Sequence, residues 1–483
     1  MLNASAPSRA LGSKLILVVG LAVLLWLPAM FVYLLSFERS SRADEAARGI
    51  FQAAGGLQEI AGPVLLTPGV IETGETDALG IPVTTTKLIA FTPRKLEIDA
   101  KAKTSLRRRS IFEAAVYEAD IEFEGQFTAL TPPSFGGRKV RMLWDKSFIA
   151  LKLGSTDAMK GIRGFPALRV NGELQDVVFE PGLNVSIAQG NGIQDLNLSA
   201  SGLAAPLPVG SPEEGFSFSL SLPLSGGGRL FFTPVGEETT ASIEADWPDP
   251  SFQGAYAPKE RSVSAEGFSA QWQIPYLARN LPRSFVVDNG LQRLKGAQGF
   301  GVELVTTKSP YKSVNRALKY ALMFMGIVFL TFFLIEVTTG VRAHPAQYIL
   351  LGAAQVLFYL LVLALAEHTG FGTAFLLTAT ATVLLSGLYA ATVFHRRIYG
   401  IIAFTAFSGA YALIYLLMKS EDYALLIGSL TAFAALALTM FVTRDLDWYG
   451  DRDTNGRDTN ERNSTGQAVR DGDGAEANPQ MGS

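Results

Sequence analysis

Six runs of apolar residues, each about as long as a bilayer is thick, limit what this 483-residue chain can become. A hydrocarbon core roughly 30 Å thick takes about 20 residues of helix. Inside it only helices and closed barrels satisfy their own backbone. The first run, residues 15–37, carries no charge and follows Lys14. It is longer than the apolar stretch of a secretory leader and ends without a small-residue cleavage site, so it reads as a retained anchor. Five more runs follow at residues 320–337, 346–366, 371–394, 399–418 and 423–442, separated by very short loops.

Positive charge orients such spans. Arg9 and Lys14 precede the first run, and Arg342, then Arg396 and Arg397, then Arg444 fall at every second end thereafter. The alternate ends hold Glu367 and His368 without Lys or Arg, and Lys419 as a single cation. The even number of spans agrees with this bias. Residues 1–14 and the C-terminus are therefore expected in the cytoplasm, with residues 38–319 outside. Residues 444–483 are polar, mixed in charge and nearly free of apolar side chains, the composition of a disordered tail.

The outer segment reads differently. Residues 38–51 contain no proline and are expected to carry the first helix out of the membrane as far as Gly55-Gly56. Beyond them the alternation changes to period two, as in residues 119–127 and 216–222, which marks half-buried strands. Turn signals recur at Pro132-Pro133, Gly136-Gly137, Gly190-Asn191-Gly192 and residues 226–228. The fold class expected is α+β: a β-rich, sandwich-like domain of antiparallel sheets inserted between one N-terminal transmembrane helix and a five-helix C-terminal bundle. About 280 residues suffice to bury such a core without disulfides, and the chain has no cysteine.

Chemical signatures are sparse. There is no Gly-x-Ser-x-Gly elbow, no phosphate-binding loop and no His-Glu-x-x-His. The absence of cysteine excludes thiolate metal sites and iron–sulfur clusters. The three histidines, His344, His368 and His395, fall on opposite sides of the membrane by the orientation above, so no metal or other cofactor is expected. Ser309-Pro-Tyr-Lys312 matches Ser-x-x-Lys but has no companion motif.

Intramembrane ionisable residues make better candidates. Glu336 lies near the cytoplasmic end of its span, close in sequence to Arg342 and His344, where an ion pair is the ordinary reading. Glu367 and His368 stand at the outer mouth, where a carboxyl–imidazole pair could respond to pH; helix-end packing is the alternative. Lys308, Lys312, Arg316 and Lys319 flank the second span and either anchor it at the interface or contact anionic lipid headgroups. In the exported domain Trp247, Asp249 and Trp272 are candidate contacts, against turn formation and core packing.

Ordered blocks along the chain resemble one family. They include Gln58-Glu-Ile-Ala-Gly-Pro-Val-Leu-Leu-Thr-Pro68, Arg108-Arg109-Ser-Ile-Phe112, Trp247-Pro-Asp-Pro-Ser-Phe-Gln-Gly254, His344-Pro-Ala-Gln-Tyr348, Glu367-His368-Thr-Gly-Phe371 and Thr443-Arg-Asp-Leu-Asp-Trp-Tyr449. Together they resemble the CreD family of Gram-negative inner-membrane proteins over about residues 10–449. Asp249 stands where the family usually has His, and a Trp common before Gln58 is absent. The resemblance implies a multi-pass inner-membrane protein with a periplasmic domain and a part in envelope integrity, stress response and β-lactam susceptibility. It implies no catalytic residue and no cofactor.

Three readings follow. One is a non-enzymatic protein whose periplasmic domain binds an envelope component or protein partner, with membrane lipids as further contacts and no nucleic acid. The second is a transporter or lipid-handling protein using Glu336, Gln355, Glu367 and His368 inside the bundle. The third is an envelope-modifying enzyme.

Overall fold

The computed structural model describes residues 9–444 except 77–79, 81, 129, 136, 139, 190–191, 208–211, 280, 288–293, 295–297, 306–309 and 420–422. Lys308 and the expected tail from residue 445 onward thus lie outside the described residues. The chain divides into two compact units, Arg39–Ser309 and Met1–Glu38 with Pro310–Ser483.

Helix α1, Arg9–Ala53, is 45 residues long. It stops where the sequence supplies glycine: Gly55 and Gly56 take φ values of 109° and 73°, which a side chain disfavours. Gly55 is constrained twice, because a Cβ there would come within 2.5 Å of the Gly161 Cα.

The strand-rich unit contains two sheets, with strands numbered in chain order. One runs β14 (Pro250–Gly254), β18 (Phe300–Leu304), β12 (Arg229–Thr233), β1 (Gln58–Thr76), β6 (Phe148–Leu153), β10 (Gly192–Pro206) and β9 (Glu180–Gln189), with β2 (Pro82–Phe91), β5 (Val140–Met142) and β17 (Ser284–Val286) beside it. The other runs β15 (Glu260–Ser264), β16 (Gly267–Ile274), β13 (Glu238–Ala245), β3 (Lys95–Arg109), β4 (Phe112–Phe127), β11 (Phe216–Gly227), β7 (Ala167–Val170) and β8 (Glu173–Leu174). A one-turn helix, α2 (Thr156–Met159), is capped by the Ser155 hydroxyl.

The two strands legible from alternation, in β4 and β11, pair along their whole length from Phe216↔Phe127 to Gly227↔Val116. On β4, Ala115, Tyr117, Ala119, Ile121 and Phe123 are buried, whereas Glu118, Asp120 and Glu122 face out. Two junctions depart from the antiparallel expectation: β1 pairs parallel with β12, and β3 parallel with β13. Strands β12 and β13 are consecutive, so the chain returns after more than 100 residues and places one strand in each sheet beside an early one. A return of that length permits parallel pairing, which a tight hairpin cannot make.

The inner faces of both sheets share one apolar cluster. Its centre is aromatic: Phe232 lies 6.1 Å from Phe123 and 6.2 Å from Phe300, and Phe300 lies 5.3 Å from Trp272. Each such ring contributes on the order of 1.5–3 kcal/mol through burial. Arg279 is buried at the margin, donating to the Val235 carbonyl and to Thr92 Oγ1. Burial pulls its pKa below the usual arginine value, with Glu237 opposing.

In the other unit, the short helix α3 (Pro310–Lys319) precedes α4 (Ala321–Thr339), α5 (Pro345–Thr369), α6 (Phe371–Val393), α7 (Arg397–Lys419) and α8 (Ala424–Thr443). With α1, the last five make six helices long and apolar enough to span a membrane. Small residues let them approach closely. A Cβ on Gly352 would fall 2.3 Å from Leu25 Cδ1, and one on Gly400 2.6 Å from the Ala391 Cβ.

Candidate functional site

The strand-rich unit has a cleft of about 630 Å3. Pairing registers build its floor. Antiparallel β6 sets Lys152 beside Ala61, and parallel β12 sets Thr233 beside Ala61 and Phe231 beside Glu59. Cross-strand neighbours share a face, so Lys152, Ala61 and Thr233 form a row across three strands. Gly254 and Gly299 complete the wall. Lys152 lines this cleft yet is only 7 % exposed. Glu59 is held by Arg229 at 3.2 Å, and the Arg229 guanidinium also lies 4.7 Å from the centre of the Phe231 ring. The cleft thus combines a buried ammonium, a neutralised carboxylate, apolar rings and exposed backbone, a set suited to holding a ligand.

Within the membrane helices the polar residues are drawn into networks. The Glu336 carboxylate is buried and accepts from three donors on three segments. The Lys14 ammonium contacts Oε1, the Ala343 N–H donates to Oε1 at 2.9 Å, and the Tyr348 hydroxyl donates to Oε2 at 2.8 Å. Lys14 also donates to the Ala343 carbonyl at 2.8 Å. The cation nearest in sequence, Arg342, is exposed, and the ion pair comes from a residue 322 positions away. His344 is a helix cap: its Nδ1 accepts from the Ala346 N–H at 3.2 Å, while Gln347 Oε1 accepts from the His344 N–H at 3.0 Å.

Glu367 is engaged by Tyr311 of α3, whose hydroxyl donates to Oε1 at 3.1 Å, and His368 is exposed. Neighbours in a helix point about 100° apart, which separates the two side chains. Gln355, the remaining polar handle, accepts from the Tyr411 hydroxyl at 2.7 Å. On α3, Tyr311, Val314, Ala317 and Leu318 are buried while Lys312 and Lys319 are exposed. Arg316 is half-buried and donates to the Met418 carbonyl at the end of α7 (3.4 Å), a helix-terminus contact.

The aromatic candidates of the strand-rich domain belong to the core and its turns. Trp272 is 2 % exposed, packs on Phe252 and Phe300, and donates to the Tyr256 carbonyl at 3.1 Å. Trp247 folds over its own turn, donating to the Asp249 carbonyl at 3.2 Å, and Asp249 is exposed.

Two residues carry more than their sequence reading assigned. Lys152 is the single charge in the apolar strand Phe148–Leu153, a signal that could have been read. Gln58 is fully buried, and its amide donates to the carbonyls of Gly55 (2.8 Å), Ser225 (3.0 Å) and Ala158 (3.1 Å). Among the described residues no group of three or more His, Asp or Glu side chains could hold a metal ion.

Comparison with known proteins bears on this arrangement. Solved structures of an M1 zinc metallopeptidase from Deinococcus radiodurans share 9 % identity, over 44 % of this chain and 42 % of theirs, at a TM-score of 0.20. A likeness of that size carries no argument. The Inner membrane protein CreD of Escherichia coli (strain K12) is 30 % identical over 438 residues, covering 90 % of this chain and 93 % of that protein. The family profile described as Inner membrane protein CreD matches residues 10–449. With six membrane-length helices and a strand-rich domain, the chain belongs to the CreD family of inner membrane proteins.

Proposed function

We propose that this CreD-family protein is a non-enzymatic binding protein of the inner membrane. Its strand-rich domain lies in the periplasm, holds an envelope component in the Lys152 cleft and thereby supports envelope integrity. The cleft carries this reading: it gathers Lys152, the Arg229–Glu59 pair, the Phe231 ring and the backbone of Gly254 and Gly299 on one concave surface, a set suited to holding a ligand. Glu59, the carboxylate lining the same cleft, is tied to Arg229 and so is a poor general base. The orientation is supported by Lys14, Glu336 and Ala343 meeting at one end of the membrane helices, the end that also carries Arg342.

Ala255 lines the cleft and is exposed, so it can be enlarged with little effect on packing. Ala255→Trp is expected to reduce complementation of the β-lactam and envelope phenotype of a deletion strain to the deletion level. Protein abundance and protease protection of the domain should be unchanged. Full complementation by a correctly inserted Ala255→Trp protein removes the cleft from the function.

The exposed Lys312 and Lys319 support lipid contact at the outer end of the bundle. Changing both to Glu is expected to lower the anionic phospholipid that co-purifies with the protein, measured by lipid mass spectrometry. Unchanged lipid content leaves them as interface anchors only.

A further inference from the structure

A second polar cluster lies inside the membrane helices, about two turns along α5 from Tyr348. Gln355 and Tyr359 are four residues apart on α5, so they share a face. The Tyr411 hydroxyl of α7 donates to Gln355 Oε1 at 2.7 Å and lies beside the Thr382 hydroxyl of α6. Tyr359 is near enough to Tyr411 to interact with it electrostatically, and Ser386 stands one turn from Thr382 on α6. The cluster is sealed: Gln355 and Tyr359 are 1 % exposed and Ser386 2 %. The rings of Phe358 and Phe324 close on Tyr411, 4.6 and 4.7 Å from its ring centre. Tyr359 stands about ten residues before the end of α5, and Thr382 about as far into α6. Both are therefore ~15 Å from the turn joining those helices, which is half the thickness of a hydrocarbon core.

Three buried polar atoms of this cluster have no hydrogen-bond partner among the described residues: Gln355 Nε2, the Tyr359 hydroxyl and the Ser386 hydroxyl. A hydroxyl in an apolar helix ordinarily turns back to the carbonyl one turn earlier. Thr378, Thr380 and Thr382 of the same helix all do so, donating to the carbonyls of Ala374, Leu376 and Thr378. Ser386 does not. An unmet polar group is costly in hydrocarbon, so three of them in one cluster point to a guest that meets them.

The chemistry of the guest follows from the lining. Gln355 Oε1 is filled by Tyr411, and Nε2 can only donate, so the guest must accept there. The two hydroxyls can donate or accept. Residues 346–366 of α5, all of α6 and residues 398–418 of α7 contain no Lys, Arg, Asp or Glu. An ion would thus lie without a counter-charge. Water both accepts and donates, and a buried water commonly makes about three such bonds.

We propose that Gln355, Tyr359 and Ser386 form a water-binding site at the middle of the membrane helices. Ordered water accepts from Gln355 Nε2 and bridges α5 to α6 beside the Tyr411 hydroxyl of α7. Apolar packing alone gives little direction between helices in lipid, and polar bridges of this kind add it. The site is independent of any ligand in the strand-rich domain.

Two measurements on the full-length protein in detergent test this. Tyr359→Phe removes a hydroxyl and nothing else. With water on that hydroxyl the variant loses a bond, and its thermal unfolding midpoint is expected to fall by about 2–4 °C. With no partner there, deleting an unmet polar group leaves the midpoint unchanged or raises it. Brief X-ray exposure generates hydroxyl radicals from bound as well as bulk water, and mass spectrometry reads the side chains they oxidise. Tyr359 is expected to be oxidised several-fold more than Phe358, its equally buried neighbour. A Tyr359→Phe midpoint at or above wild type, or oxidation of Tyr359 no greater than that of Phe358, overturns the proposal. A higher wild-type midpoint in chloride than in gluconate at equal ionic strength, absent from Tyr359→Phe, would also overturn it and assign the site to a halide.

Discussion

Lys14→Ala is expected to lower the unfolding free energy of the purified protein by about 3–5 kcal/mol, the usual consequence of leaving one member of a buried ion pair without its partner. The side chain of Glu336 is only 7 % exposed. Without Lys14 it keeps the Tyr348 hydroxyl and the Ala343 N–H, which solvate a carboxylate but do not neutralise it. The double variant Lys14→Met with Glu336→Leu removes both charges and should recover much of the loss. It should still fall short of wild type by about 1–3 kcal/mol, because Tyr348 and Ala343 then lose their acceptor. The order expected in thermal unfolding in detergent is therefore wild type, double variant, Lys14→Ala. A Lys14→Ala protein melting with wild type would show that the pair contributes nothing.

The second large effect concerns Gln58, where α1 meets the strands. Its amide nitrogen faces three carbonyl oxygens, those of Gly55, Ala158 and Ser225. Gln58→Leu removes the donor and leaves these acceptors buried, at about 1–3 kcal/mol. Gln58→Glu nearly preserves shape but replaces the donor by an oxygen aimed at the same three carbonyls. It should be the more damaging of the two, by several kcal/mol if the carboxylate stays ionised in so buried a place. Raising the proton concentration should partly rescue Gln58→Glu, because a protonated carboxyl again supplies one donor. Susceptibility of the strand-rich domain to limited proteolysis, compared at two pH values, measures this. Equal sensitivity of the two variants would mean that the hydrogen bonds at Gln58 are incidental.

The parts of this molecule set by hydropathy and backbone conformation were legible from residue order. The membrane spans, the helix continuing to Gly55-Gly56 and the strands at residues 119–127 and 216–222 each follow from a local pattern. What could not be read depends on which distant segments meet. Nothing near Lys14 announces Glu336, and Glu336 has Arg342 and His344 much closer in sequence. The parallel pairings of β1 with β12 and β3 with β13 are likewise settled by long-range return of the chain, which carries no local signal. Trp247 and Trp272 are sequence candidates because aromatic side chains anchor interfaces. The packing of Phe252 and Phe300 around Trp272 shows why a large side chain more often fills a core. Lys152 is hard to read from residue order because one charge in an apolar strand looks like a break in a pattern, although it lines the cleft.

The position of β1 also governs when the protein can be completed as it is made. This early strand takes partners from β2, β5, β6 and β12, and the sheet's β18 is formed by residues 300–304. Until that last strand has been made, β12 and β14 lack the strand that joins them, and an unpaired strand edge is prone to wrong association. Only five residues separate Leu304 from Pro310, the start of the remaining membrane helices. Synthesis of the domain must therefore be almost finished before the helix carrying Glu336 is made. Lys14 waits through more than three hundred later residues for its partner.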